Sequence, residues 1–247
     1  MSEIKSRILE LRNLIIEHNH NYYDLDKNVI SDFEYDSLVN ELIKLENQYP
    51  EFQDQNSPSK RVGGGLSDKF NSESHIFQMY SLDNTYSDTE LETWFNRIVK
   101  LIQVDDFEFC CELKYDGASV NLLYKDGQLV RALTRGDGYQ GDNITNNLKT
   151  INSIPLKLKN KFFPNKFEIR GEIIIPSDAF NSLNEKRKEI GLPLFMNPRN
   201  TASGSIKLLD SKEVARRPLE CFLYSVVSND ININNHSELL ASARNMG

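Results

Sequence analysis

Lys114-Tyr115-Asp116-Gly117 sets a lysine just ahead of an acid and a glycine. Lysine is cationic at neutral pH, so it attacks an electrophile only after losing its proton, which a desolvated or cation-rich pocket favours. As a covalent nucleophile it splits one hard displacement into two easier ones. A lone lysine at a strand end is more commonly a solvated surface residue. Here its neighbours add to it. Glu112 lies on the same face of a predicted strand. Arg135 falls in Thr134-Arg135-Gly136-Asp137-Gly138, and Glu172 in Glu168-Ile169-Arg170-Gly171-Glu172. If the strands that carry them share a sheet, one face collects a lysine, an arginine and two carboxylates. Such a set suits a nucleotide. An arginine can grip phosphate or ribose, and carboxylates can hold sugar hydroxyls, the exocyclic amine of adenine or a metal. Taken singly, Glu112, Arg135 and Glu172 also read as an ordinary solvated strand face.

The elements that must position these residues follow from hydrophobic periodicity. Ile4, Ile8, Leu11 and Ile15 recur at helical spacing. Ser31 and Glu34 match a capping box that opens a second helix, with Leu38, Leu42 and Leu45 as its buried stripe and Pro50 after its end. The first 50 residues thus predict a helical hairpin, with Tyr22, Tyr23 and Asp24 in or near its connection. Residues 51–72 are polar and hold Pro58 and Gly63-Gly64-Gly65, which reads as a linker. That glycine run lacks the spacing of a dinucleotide fingerprint. A third helix follows Ser87, with Leu91, Trp94, Ile98 and Leu101 as its expected buried stripe. Period-two alternation from Phe107 to Asp116 predicts a half-buried strand with Glu112 and Lys114 on its polar face. Asp126-Gly127 signals a two-residue hairpin. Residues 167–175 predict a strand, Ser177 to Gly191 a helix, and 219–227 a late buried strand. The expected class is α+β, with an antiparallel-rich sheet behind the helical unit.

Bulk properties narrow the function. The 247 residues are 39% hydrophobic and 26% charged, ordinary values for a globular chain. No run of ~18 apolar residues could span a membrane, and the N-terminus has no signal-peptide core. The expectation is a cytoplasmic protein. Cys110, Cys111 and Cys221 lack metal-ligand or disulfide spacing and are expected to be small buried core residues, so no metal site is predicted from them. A net charge of −7 is unlike a chain that grips DNA alone. The helix predicted from about Ser237 runs to the last residues, which is expected of a piece of a longer protein.

The motif Lys-x-Asp-Gly resembles that of the covalent nucleotidyltransferases: DNA ligases, RNA ligases and capping guanylyltransferases. Other segments resemble the bacterial NAD-dependent DNA ligases in particular. They are Tyr22-Tyr23-Asp24, Ser31 to Asp36, Ser57-Pro58 with Arg61-Val62-Gly63, Ser81-Leu82-Asp83-Asn84, Asn197-Pro198-Arg199-Asn200 and Ala202-Ser203-Gly204-Ser205. The resemblance covers the chain to about residue 227 and implies a helical NMN-binding subdomain (1–60), a linker (61–70) and an incomplete nucleotidyltransferase, ATP-grasp-like domain (71–247).

It further implies that Lys114 attacks the α-phosphate of NAD, with Mg²⁺ on the phosphates, forming lysine–AMP and releasing NMN. Tyr22, Tyr23, Asp32, Tyr35 and Asp36 would hold the NMN half. Ser81, Leu82 and Glu112 would contact the adenylate, Arg135 its ribose or phosphate, Glu172 the ribose hydroxyl, and Tyr224 would stack on adenine. Arg199 and Lys207 would lie near the phosphates, Lys207 standing where many relatives have arginine. The helical subdomain would swing on the Arg61–Leu66 linker. The AMP would later activate the 5′-phosphate of nicked double-stranded DNA, with the whole enzyme a monomer. Two further family motifs and the DNA-encircling domains fall beyond residue 247. Two alternatives stay open: a non-catalytic NAD- or NMN-binding fragment, and an ATP- or GTP-using RNA ligase or capping-type transferase.

Overall fold

The computed structural model describes residues 2–23, 29–54, 56–61, 70–82, 84–103, 106–159, 164–231, 233 and 235–247. Helix α1 (Ser2–Tyr23) and helix α2 (Asp32–Gln48) pack as the predicted pair. Ile8, Leu11, Ile15, Val39 and Leu42 are buried between them, with Ile4, Leu38 and Leu45 at the margin. The capping box is present: the Ser31 side chain accepts from the Glu34 amide, and the Glu34 carboxylate accepts from the Ser31 amide at 2.8 Å. That bonding holds the Glu34 carboxyl below its ordinary range.

The pair is also joined by charge. Arg12 on α1 donates to the Glu46 carboxylate on α2 at 2.9 and 2.5 Å and to the Phe52 carbonyl at 2.7 Å. Glu46 is 2% exposed and also accepts from the Ser59 hydroxyl. Removing one member of a buried pair leaves the other charge uncompensated. Glu46→Ala is therefore expected to cost the helical unit about 3 kcal/mol, in the lower range for a broken buried ion pair. Hydrogen exchange across α1 and α2 would show that loss as faster exchange in both helices; unchanged protection would contradict it.

The second unit is built on a four-stranded antiparallel sheet in the order β3–β2–β5–β6. Its strands are β2 (Ala118–Lys125), β3 (Gln128–Thr134), β5 (Lys166–Ile174) and β6 (Glu220–Val227). Asp126 and Gly127 turn the hairpin with φ of 50° and 73°, the left-handed pair that a two-residue turn of this hand needs. A two-stranded sheet pairs β1 (Ser72–Ser74) with β4 (Gln140–Asp142). Val120, Leu122, Tyr124, Phe167, Ile169 and Ile173 form the heart of the core. The short helix α4 (Thr145–Leu148) packs into it through Leu148, α6 (Pro198–Ser205) through Ala202, and α7 (Ser211–Ala215) through Val214. Helix α5 (Ser177–Glu189) lies at its margin, and helix α8 (His236–Met246) sends Met246 into it. Gly191, just past α5, is left-handed at φ 71° as a helix stop requires.

Three expectations are corrected. Residues 106–116 form no strand: they pair with no ladder, and Leu113 is 79% exposed. Their alternation serves another contact, with Phe107 and Phe109 set against Trp94 and Phe95. Helix α3 (Asp88–Ile102) forms behind its Ser87 cap, but none of its residues is buried and Leu101 is 72% exposed. Cys110 and Cys111 are exposed, since the strand expected to bury them does not form; Cys221 is buried, and its burial pushes the thiol's pKa up.

Candidate active site

A cavity of about 900 Å³ opens at one end of the sheet. Several stretches of chain wall it. The turn before β2 brings Glu112, Lys114 and Gly117; the loop after β3 brings Arg135 and Asp137; β5 brings Glu172; α6 and its exit bring Arg199 and Lys207; β6 brings Tyr224. Ser81 and Leu82 close a further side. Ser81, Leu82, Glu112, Lys114, Arg135, Glu172, Arg199, Lys207 and Tyr224, all singled out from the sequence, thus line one cavity although residues as far apart as 81 and 224 supply them.

Local rules explain the convergence. Ser119 on β2 pairs with Glu172 on β5, and Glu172 with Phe222 on β6, so the three strands bring these positions side by side. Gly117 enters β2 where a Cβ would stand 2.2 Å from the Ile173 carbonyl oxygen; no side chain fits there. Tyr115 lies flat on Phe222, ring centroids 4.3 Å apart, which ties the lysine turn to β6. The Tyr224 hydroxyl meets the Ser119 hydroxyl at 3.2 Å and holds its ring in the wall.

The cavity mixes both signs of charge. Arg199 pairs with Asp116 at 3.2 Å, and Lys207 with Asp142 at 2.8 Å. Burial pushes the Glu172 carboxyl above its ordinary range, opposed by the Gly117 amide and by Lys114, Arg199 and Arg135. The folded state thus holds that proton more tightly than the unfolded state does. Stability tied to the protonated form is fully present below the unfolded value of 4.5 and is lost as pH rises through the raised folded value. Glu172→Gln is accordingly expected to melt higher than the parent at about pH 7, with the difference vanishing below the ordinary glutamate range. Thermal midpoints at the two pH values test this; a variant that melts lower at both would contradict it.

The carboxylates here do not build a metal cage alone. Asp116 and Asp142 are paired with cations, and Glu172 accepts from a backbone amide. Among the described residues the group of three near enough to share an ion is Cys110, Glu112 and His236, whose ligand atoms lie within 4.8 Å of one another. A thiol and an imidazole suit softer ions than Mg²⁺. A Mg²⁺ ion here would rest on the oxygens of a bound phosphate and on water more than on these carboxylates.

The structure also shows partners that the sequence did not signal. His236, from the start of α8, meets the Glu112 carboxylate at 2.7 Å. His75 meets the Arg135 carbonyl at 3.1 Å. A lone histidine carries no local pattern, so only the folded register reveals either contact. The NMN-side residues fare differently. Tyr35 packs partly against the core of the helical pair. Tyr22, Tyr23, Asp32 and Asp36 sit on α1 and α2 by backbone, and their side chains lie outside the described residues, as do Asp24, Asp83 and linker residues 62–69.

Comparison with known proteins agrees with this arrangement. Residues 67–247 match the family model of the NAD-dependent DNA ligase adenylation domain. Residues 1–63 match that of the DNA ligase-like, N-terminal NAD⁺-binding domain. The chain is 52% identical over 245 residues to a DNA ligase of Christiangramia forsetii, covering 99% of this chain and 37% of that protein. It is 52% identical over 244 residues to one of Flavobacterium johnsoniae, covering 99% and 36%. It is 48% identical over 247 residues to one of Phocaeicola vulgatus, covering 100% and 37%. The chain thus spans little more than a third of the length of these relatives.

Proposed function

The chain belongs to the NAD-dependent DNA ligase family, and from that premise we propose that it is the adenylate-accepting part of such an enzyme, with Lys114 as the nucleophile. The neutral Nζ of Lys114 attacks the α-phosphorus of NAD. A P–N bond forms, the bond from that phosphorus to the bridging oxygen breaks, and NMN leaves with that oxygen on its phosphate. The amine proton passes to solvent, and lysine–AMP remains. In the whole protein this AMP then activates the 5′-phosphate of a DNA nick.

One observation carries the reading: Lys114, Arg135, Glu172, Arg199 and Tyr224 share a single cavity. Displacement at phosphorus asks mainly for positioning and charge neutralisation. Arg135 grips ribose or phosphate, and the Glu172 carboxylate accepts from a ribose hydroxyl. Tyr224 offers its ring to adenine, and Glu112, with Ser81 and Leu82, borders the base. Arg199 and Lys207 face the phosphates. Bound Mg²⁺ supplies further neutralisation of phosphate charge. Tyr22, Tyr23, Asp32, Tyr35 and Asp36 take the NMN half, aromatics on the nicotinamide ring and acids on ribose hydroxyls or facing the positive ring.

NAD labelled in its adenylate, supplied with Mg²⁺, should leave acid-labile label on the chain and release NMN in equal amount, whereas labelled ATP should leave none. Label from ATP would favour the capping or RNA-ligase class. A chain that takes no covalent label and binds no NMN saturably would overturn the proposal.

A further inference from the structure

Arg135 stands at the cavity on an exposed loop, so something must hold its backbone in place. The structure supplies a bracket. The His75 ring sits between Asn121 on β2 and that loop: the Asn121 side-chain amide lies 3.0 Å from His75 Nδ1, and the Arg135 carbonyl oxygen 3.1 Å from Nε2. A carbonyl only accepts, so Nε2 carries the hydrogen, and bare Nδ1 accepts from the asparagine amide. Main-chain bonds fasten the same two segments: the His75 amide donates to the Tyr139 carbonyl and the Met79 amide to the Gly138 carbonyl, both at 2.9 Å. Gly138 is left-handed at φ 93°, and a Cβ there would stand 2.4 Å from the Met79 carbonyl oxygen.

The segment around His75 is itself anchored to β5. The fully buried Glu168 carboxylate accepts from the Ile76 and Phe77 amides at 3.0 and 3.2 Å. Arg170 donates to the Gln78 carbonyl at 2.7 Å. Glu168 and Arg170 alternate with Glu172 along one face of β5, so a single strand face both lines the cavity and fixes the bracket beside it.

We propose that His75 is a positioning residue for the adenylate site, locking the Arg135 loop to the sheet through Asn121. This rests on the adenylation reading above. His75 itself touches no substrate. Its loss frees the Arg135 backbone and weakens a contact that ground state and transition state share, so the effect falls on KM rather than kcat.

The test compares the parent chain, His75→Ala and His75→Gln. Glutamine keeps one donor and one acceptor on a single side chain and can replace both bonds. In the absence of nucleotide, His75→Ala should speed hydrogen exchange of the 137–141 amides, and His75→Gln should restore it. With nucleotide, His75→Ala should raise KM for NAD, or Kd for AMP, about tenfold with kcat within about twofold, as expected for the loss of about one hydrogen bond's net worth. His75→Gln should recover to within about threefold. Unchanged exchange in His75→Ala, or glutamine behaving as alanine does, would overturn the bracket. A parent chain that binds neither AMP nor NAD would instead sink the adenylation reading, and the exchange result would still decide the bracket.

Discussion

Lys114→Ala, incubated with NAD and Mg²⁺, is expected to gain no adenylate where the parent chain gains one. Removal of a covalent nucleophile costs on the order of a millionfold, because no neighbouring group substitutes for it. The change should leave the fold intact. Lys114 is exposed on a turn whose ties to the sheet run through Tyr115 and Gly117, not through the lysine. Exposed substitutions of this kind usually shift stability by less than about 0.5 kcal/mol. AMP affinity should also survive, since Tyr224, Arg135 and Glu172 line the cavity independently of the lysine side chain. Intact mass of both proteins before and after NAD gives the answer. An equal adduct on the variant would move the nucleophile elsewhere, and Lys207, paired with Asp142 across the same cavity, would be the first residue to examine.

Much of this arrangement was legible in the chain because it is local. The Ser31–Glu34 box, the Asp126-Gly127 turn and the Gly191 stop each obey rules that span a few residues, and each forms as read. The sheet register was not local. Yet every second residue of a strand shares a face, and the sheet accordingly sends Glu172 to the cavity and Glu168 and Arg170 to the 76–78 backbone. Periodicity does not by itself bring burial. Residues 107–113 alternate as a strand does, but a strand also needs a partner to bond with, and periodicity cannot supply one. The α3 stripe failed in the same way: its spacing is helical, its capping serine bonds as expected, and its apolar face nevertheless stays exposed among the described residues. His75 and His236 were illegible for a different reason. Each acts through hydrogen bonds to residues distant in sequence, and a single side chain at a single position leaves no pattern.

The second large effect separates the two units. The helical pair has its own buried cluster around Ile8, Leu11, Ile15, Val39 and Leu42, none of which belongs to the core of the sheet. Deleting residues 1–60 removes that cluster whole and breaks, among the described residues, the 3.0 Å bond from Asn56 to Gln128. The remaining chain should keep its sheet and its affinity for AMP to within about threefold, since neither Asn56 nor Gln128 lines the adenylate cavity and one hydrogen bond contributes about 1 kcal/mol to stability. Reaction with NAD should nevertheless be lost. If the aromatics and acids of the helical unit grip NMN, several contacts of about 1 kcal/mol each disappear together, some of them charge-assisted and stronger. A combined loss of about 4 kcal/mol slows adduct formation by roughly a thousandfold. Rates of adduct formation and AMP titration on the two chains separate the outcomes. A deletion that kept both activities would remove the helical unit from cofactor recognition, and one that lost both would show that the two units fold as one. Only loss of the NAD reaction with AMP binding retained assigns the choice of NAD to α1 and α2. That outcome would also explain why a site able to hold any adenylate should discriminate by what hangs from its second phosphate.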